Sequence, residues 1–131
     1  MNKPIINKES LKNITALLVH VASIDEAYTE KEKKIIKNFI SSFSYNDAES
    51  EKILTEAEQM ESDSIQLHSF TKSVKKESLE LKTQVMEHLW KIIISDQSID
   101  QYESSLMRRI CGLIYFPDKL SGEIKVKLLN K

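Results

Sequence analysis

The stretches IDEAYTEKE, residues 24–32, and SDQSIDQYE, residues 95–103, decide the fold. Neither contains glycine or proline, and each lies between segments whose apolar residues recur at helical spacing. Setting Asp25 on Asp96 gives an offset of 96 − 25 = 71, which holds without a gap from Leu18/Leu89 to Asp47/Asp118. Asp25/Asp96 and Glu32/Glu103 are identical pairs, and Val21/Ile92, Ile35/Leu106, Phe39/Ile110 and Phe43/Ile114 keep the apolar frame. Two copies of one helix–loop–helix hairpin follow. The expected fold is all-α: a single-domain bundle of about seven helices over residues 1–131, built on two pseudo-symmetric hairpins.

Working outward, Leu11, Ile14, Leu17, Leu18 and Val21 predict a helix over residues 8–24. Ile35, Ile36, Phe39, Ile40 and Phe43 predict a second over 30–43. A third, capped by Asn46 or Asp47, carries Ile53, Leu54, Ala57 and Met60, and residues 61–64 read as a polar turn. A short fourth helix holds Ile65, Phe70 and Val74. The fifth, over 76–95, carries apolar residues on more than one stripe, which predicts the central and most buried helix. The sixth spans 101–115 and stops before Pro117, which disfavours helix at the residue preceding it. Asp118 or Ser121 caps a last helix with Leu120, Ile124 and Leu128.

Composition agrees. The 131 residues suffice for one core, and only two Gly and two Pro are present, too few for hairpin turns or phosphate-cradling loops. The formal net charge is −1 and the only arginines are Arg108 and Arg109, so no nucleic-acid partner is expected. One cysteine, Cys111, excludes an intrachain disulfide framework and suits a reducing, cytoplasmic setting. No apolar run approaches the ~18 residues of a transmembrane helix, and residues 1–10 lack the apolar core of a signal peptide.

The repeated corners carry the candidate chemistry. Thr29-x-x-Glu32 and Asp100-x-x-Glu103 have the spacing of capping boxes, in which the first side chain accepts an amide three residues on and the glutamate reaches back. Asp25 and Asp96 are different: a carboxylate at a helix C-terminus faces the negative end of the dipole. Either an Asx turn offsets this, or a cation does, a lysine from elsewhere or a divalent metal. Asp25, Glu32, Asp96, Asp100 and Glu103 are thus candidate ligands for Ca²⁺, Mg²⁺ or Zn²⁺, although the span is not that of an EF-hand. No cofactor is otherwise required. Lys31, Lys33, Lys34 and Lys37 place cations on the second helix, a candidate surface for an acidic partner or anionic headgroups.

LLVHVASIDEAYTEKEKKII (residues 17–36) and LWKIIISDQSIDQYESSLMRRICGLIYFPD (residues 89–118) resemble the two signature segments of the TerB-like, tellurite-resistance protein B, family. The second is the closer, through Asp96, Asp100, Glu103, Arg108, Arg109 and residues 116–118. The family's loop glycine is replaced by Glu26 and Gln97. The resemblance implies an all-α fold of about seven helices, a role in tellurite resistance and wider stress response, membrane-associated complexes, and metal contacts at acidic positions. His20, His68 and His88 lie too far apart for a metal motif, and no nucleophile–base pair is visible. The expected function is therefore non-enzymatic: binding of a protein partner, with metal binding or sensing at the acidic loops as the alternative.

Overall fold

In the computed structural model, residues 8–23, 29–43, 46–63, 67–95 and 101–130 are described, with the backbone alone for residues 63, 67–69 and 101–103. They form seven helices and no strand: α1 (Lys8–Ala22), α2 (Glu30–Ser41), α3 (Asp47–Asp63), α4 (Leu67–Lys75), α5 (Leu79–Ile94), α6 (Gln101–Ile114) and α7 (Asp118–Leu129).

Helix starts follow local chemistry. Thr29 caps α2 in a complete capping box: its hydroxyl accepts from the Glu32 amide at 3.2 Å, and Glu32 Oε1 accepts from the Thr29 amide at 2.8 Å. Asn46 begins α3 in the same manner, Oδ1 accepting from the Glu49 amide at 2.8 Å and Glu49 reaching back at 3.4 Å. Ser78 Oγ accepts from the Leu81 amide to start α5. At α7 the expected cap is replaced. Pro117 occupies the cap position without a side-chain bond, Asp118 is already helical, and the Ser121 hydroxyl turns inward to accept from Trp90 Nε1 at 2.9 Å. Helix α6 ends through Tyr115, whose φ of 59° is left-handed, with the Phe116 amide bonded to the Cys111 carbonyl at 2.9 Å. That is a Schellman closure with tyrosine where glycine is usual.

Two further expectations change. Helix α3 runs through Glu61, Ser62 and Asp63, because nothing in those residues breaks a helix and Glu61 faces His20. The central helix is α1 rather than α5. Ten of its 15 residues are buried, against nine of 16 in α5, and it packs on α2, α3, α4 and α5. Small residues explain this. Ser10, Thr15, Ala16 and Ala22 let neighbours close over faces that carry no large side chain, and the buried Thr15 hydroxyl is satisfied by the Leu11 carbonyl at 2.7 Å.

One apolar cluster draws buried side chains from α1 to α6 and from Phe116, with Leu120, Ile124 and Leu128 of α7 half-buried against it. The internal repeat survives in the packing: α3 rests on α1 and α2 as α7 rests on α5 and α6. The likeness is incomplete, since α6 packs mainly on α4, for which the first half has no counterpart.

Candidate functional site

The first hairpin's turn leads into α2 and the second leaves α5, and these two edges meet. Lys31 Nζ donates to the Ser95 carbonyl at 3.5 Å, placing a cation at the negative end of α5. Of the candidate metal ligands, Asp25, Asp96 and Asp100 lie outside the described residues, and Glu103 opens α6 with its side chain outside them. Glu32 is described with its side chain: it is 1 % exposed, and its Oε1 accepts from both the Thr29 amide and, at 3.1 Å, the Thr29 hydroxyl. Among the described residues no group of three His, Cys, Asp or Glu side chains gathers as metal ligands would.

The four candidate lysines of α2 do not share one environment. Lys33 and Lys37 turn to α3, pairing with Glu58 at 3.8 Å and Glu51 at 2.8 Å. The Glu51 hydrogen bond holds the Lys37 ammonium above its ordinary pKa, with burial opposing slightly. Lys34 is exposed, and Lys31 faces α5.

Beside Lys31 a groove opens that the sequence reading did not anticipate. Helix α5 forms its floor through Thr83, Glu87 and Lys91, one turn apart, and α7 forms a wall through Leu120, Ile124 and Leu128. The hollow between α5 and α7 holds about 300 Å³. It continues past Lys91 and Leu128 into a second of about 360 Å³, bounded by Lys31, Ile35, Ile94 and Ser95. Glu87 and Glu123 make one end acidic; Lys91, Lys127 and Lys31 make the other basic. The available signal was the spacing of Leu120, Ile124 and Leu128, which fits a helix half sunk against its neighbour. Trp90 beneath it is tied to Ser121, and Lys125 Nζ lies 5.3 Å from its ring centroid.

The remaining titratable groups serve the core. His88 Nδ1 donates to the Gln84 carbonyl at 2.8 Å, and its ring meets Phe39 edge-on. Burial lowers its pKa, only partly offset by that hydrogen bond, so it is a neutral core histidine. Cys111 is buried, and burial pushes its thiol up, away from reactivity. His20 faces Glu61 at 3.4 Å. No described helix is long and apolar enough to cross a membrane.

The family described as tellurite resistance protein TerB matches the chain over residues 11–126. No curated protein matches the chain significantly, nor does any solved structure.

Proposed function

The chain belongs to the tellurite resistance protein TerB family, a helical domain associated with tellurite resistance, and from that premise we propose that it acts as a non-catalytic docking module for a protein partner. The carrying observation is the groove on α5. It pairs half-buried aliphatic side chains (Ile35, Ile94, Leu120, Ile124, Leu128) with a cationic end at Lys31, Lys91 and Lys127. Such a trough suits an amphipathic helix that lays its apolar face on Ile124 and Leu128 and its carboxylates on the lysines. The partner belongs to a stress-response complex, membrane-associated in the sense that the partner supplies the membrane contact.

A photoactivatable residue at Leu128 tests the reading. It crosslinks a defined partner in cells, whereas the same residue at the exposed Thr55 of α3 does not. Equal yields at both positions, or none at either, would refute groove docking. The alternative, a divalent cation held by Asp25, Glu32, Asp96, Asp100 and Glu103, draws support from the contact of Lys31 with Ser95, which sets the two loop edges side by side. Titration with Ca²⁺, Mg²⁺ or Zn²⁺ that shifts amides around residues 29–32 and 101–103 at micromolar metal would favour it over docking.

A further inference from the structure

The chain's charge is unevenly spent. Every lysine ion pair among the described residues ends on α3: Lys8 on Glu49, Lys12 on Glu56, Lys33 on Glu58 and Lys37 on Glu51, and the His20 ring contacts Glu61 of the same helix. Helices α4 and α6 are built oppositely. Residues 67–76 and 104–117 contain no Asp or Glu, yet hold Lys72, Lys75, Lys76 and both arginines of the chain, Arg108 and Arg109. All five are exposed, and none joins an ion pair among the described residues. The one acid on either helix is Glu103, in the first turn of α6; Glu77 and Asp118 lie past the helix ends.

Between these helices sits a hollow of about 240 Å³ lined by Thr71, Lys72, Lys75, Gly112, Leu113 and Tyr115. Two residues of its lining are not the types that their backbone positions favour. Gly112 lies inside a helix, where glycine costs roughly 0.5–1 kcal/mol relative to alanine, yet a Cβ there would meet nothing within 4 Å. Tyr115 is 68 % exposed in a left-handed conformation that costs a non-glycine residue roughly 1–2 kcal/mol. Its ring is covered on one face by Lys75 Nζ, 4.6 Å from the centroid. Arg108 and Arg109 are exposed one helical turn before Gly112 and Leu113.

We propose that the α4–α6 face is a second docking site, separate from the α5 groove, for an acidic segment of a protein partner. An apolar side chain of that segment enters over Gly112 against Leu113 and the Tyr115 ring, and its carboxylates meet Lys72, Lys75, Arg108 and Arg109. Arginine suits this task because its planar fork binds carboxylates through two bonds. A bilayer fits less well. Among the described side chains, Tyr115, just past α6, is the one large apolar group exposed by half or more at this face, the others being Leu79 on α5 and Val126 and Leu129 on α7, so little of the described surface could insert. The concavity favours a single side chain.

The probe is a fluorescein-labelled peptide of Glu and Asp around a central Leu, followed by anisotropy and by amide shifts of the ¹⁵N-labelled protein. Saturable binding is expected, with shifts centred on residues 71–75 and 112–115. Lys72→Glu combined with Arg108→Glu weakens it by about tenfold or more, the scale of lost charge complementarity. Gly112→Leu keeps the helix, fills the hollow and weakens binding similarly, so loss cannot be put down to misfolding. Leu128→Asp in the α5 groove leaves this binding unchanged while abolishing groove crosslinking, which separates the two sites. An absent interaction, equal binding by all variants, or capture of phosphatidylserine vesicles or a single-stranded oligonucleotide in place of the peptide overturns the proposal.

Discussion

Replacing Glu32 by alanine tests whether the repeated corner is first a structural device. Glu32 is 1 % exposed although charged, and one of its oxygens holds both the amide and the hydroxyl of Thr29. Alanine removes the capping box, worth ~1 kcal/mol. It also leaves a void where a buried side chain stood, adding about 1–2 kcal/mol on the lower range for large-to-small core changes. The sum is about 2–3 kcal/mol. At roughly 2.1 cal/mol/K per residue over 131 residues, that is about 7–11 °C in Tm. Glu32→Gln retains the acceptor and the volume and should lose about 1 kcal/mol or less. Urea unfolding of both variants, with Thr29→Ala completing a double-mutant cycle, provides the measurement. A loss under about 0.5 kcal/mol for Glu32→Ala would refute the structural reading, and glutamine as damaging as alanine would show that the fold uses the carboxylate's charge rather than its acceptor and volume.

Three further outcomes follow from the same contacts. His88 is held neutral by burial, so below its ordinary pKa of about 6.5 the unfolded chain takes a proton that the fold resists. Stability should fall with pH from there, by up to about 1.4 kcal/mol per pH unit from this group, and His88→Gln should remove that part of the slope in urea midpoints; identical slopes would exclude it. Ser121→Ala leaves the indole N–H of the single tryptophan without its acceptor, costing about 1–3 kcal/mol, and should shift Trp90 emission; unaltered stability would mean the bond does not anchor α7. Gly112→Ala should stabilise by about 0.5–1 kcal/mol in thermal unfolding, because its Cβ meets nothing; destabilisation would show that packing, not an open site, keeps glycine there.

Much of the architecture was legible because helices advertise themselves through apolar spacing, and these residues follow it closely. Leu11, Ile14, Leu17 and Leu18 of α1 are all fully buried, as are Ile36, Phe39 and Ile40 of α2. The Thr29 capping box was readable from two residues. The centrality of α1 was not, since small side chains mark close approach without apolar bulk. Nor was the end of α6, where Pro117 was read as the terminator while the chain reverses at Tyr115. The lysines of α2 show the limit for sites. Sequence places Lys31, Lys33, Lys34 and Lys37 on one helix, but whether a cation is offered to a partner depends on what packs opposite it. Here Glu51 and Glu58 of α3 take two of the four.

The same logic explains why a formal charge of −1 is a poor guide to this surface. Acidic residues are concentrated on α3, where surface ion pairs with α1 and α2 each contribute only ~0–1 kcal/mol to stability. What they do is cancel the field of the N-terminal lysines. The cations of α4 and α6 face no such helix, so their field reaches solvent within the Debye length of ~8–10 Å. A charge census sees cancellation; the packing of α3 against α1 and α2, and of α4 against α6, separates a neutralised face from a cationic one. If an acidic segment docks there, its association should slow steeply with added salt, whereas the groove on α5, whose ends carry opposite signs, should discriminate partners by orientation more than by rate.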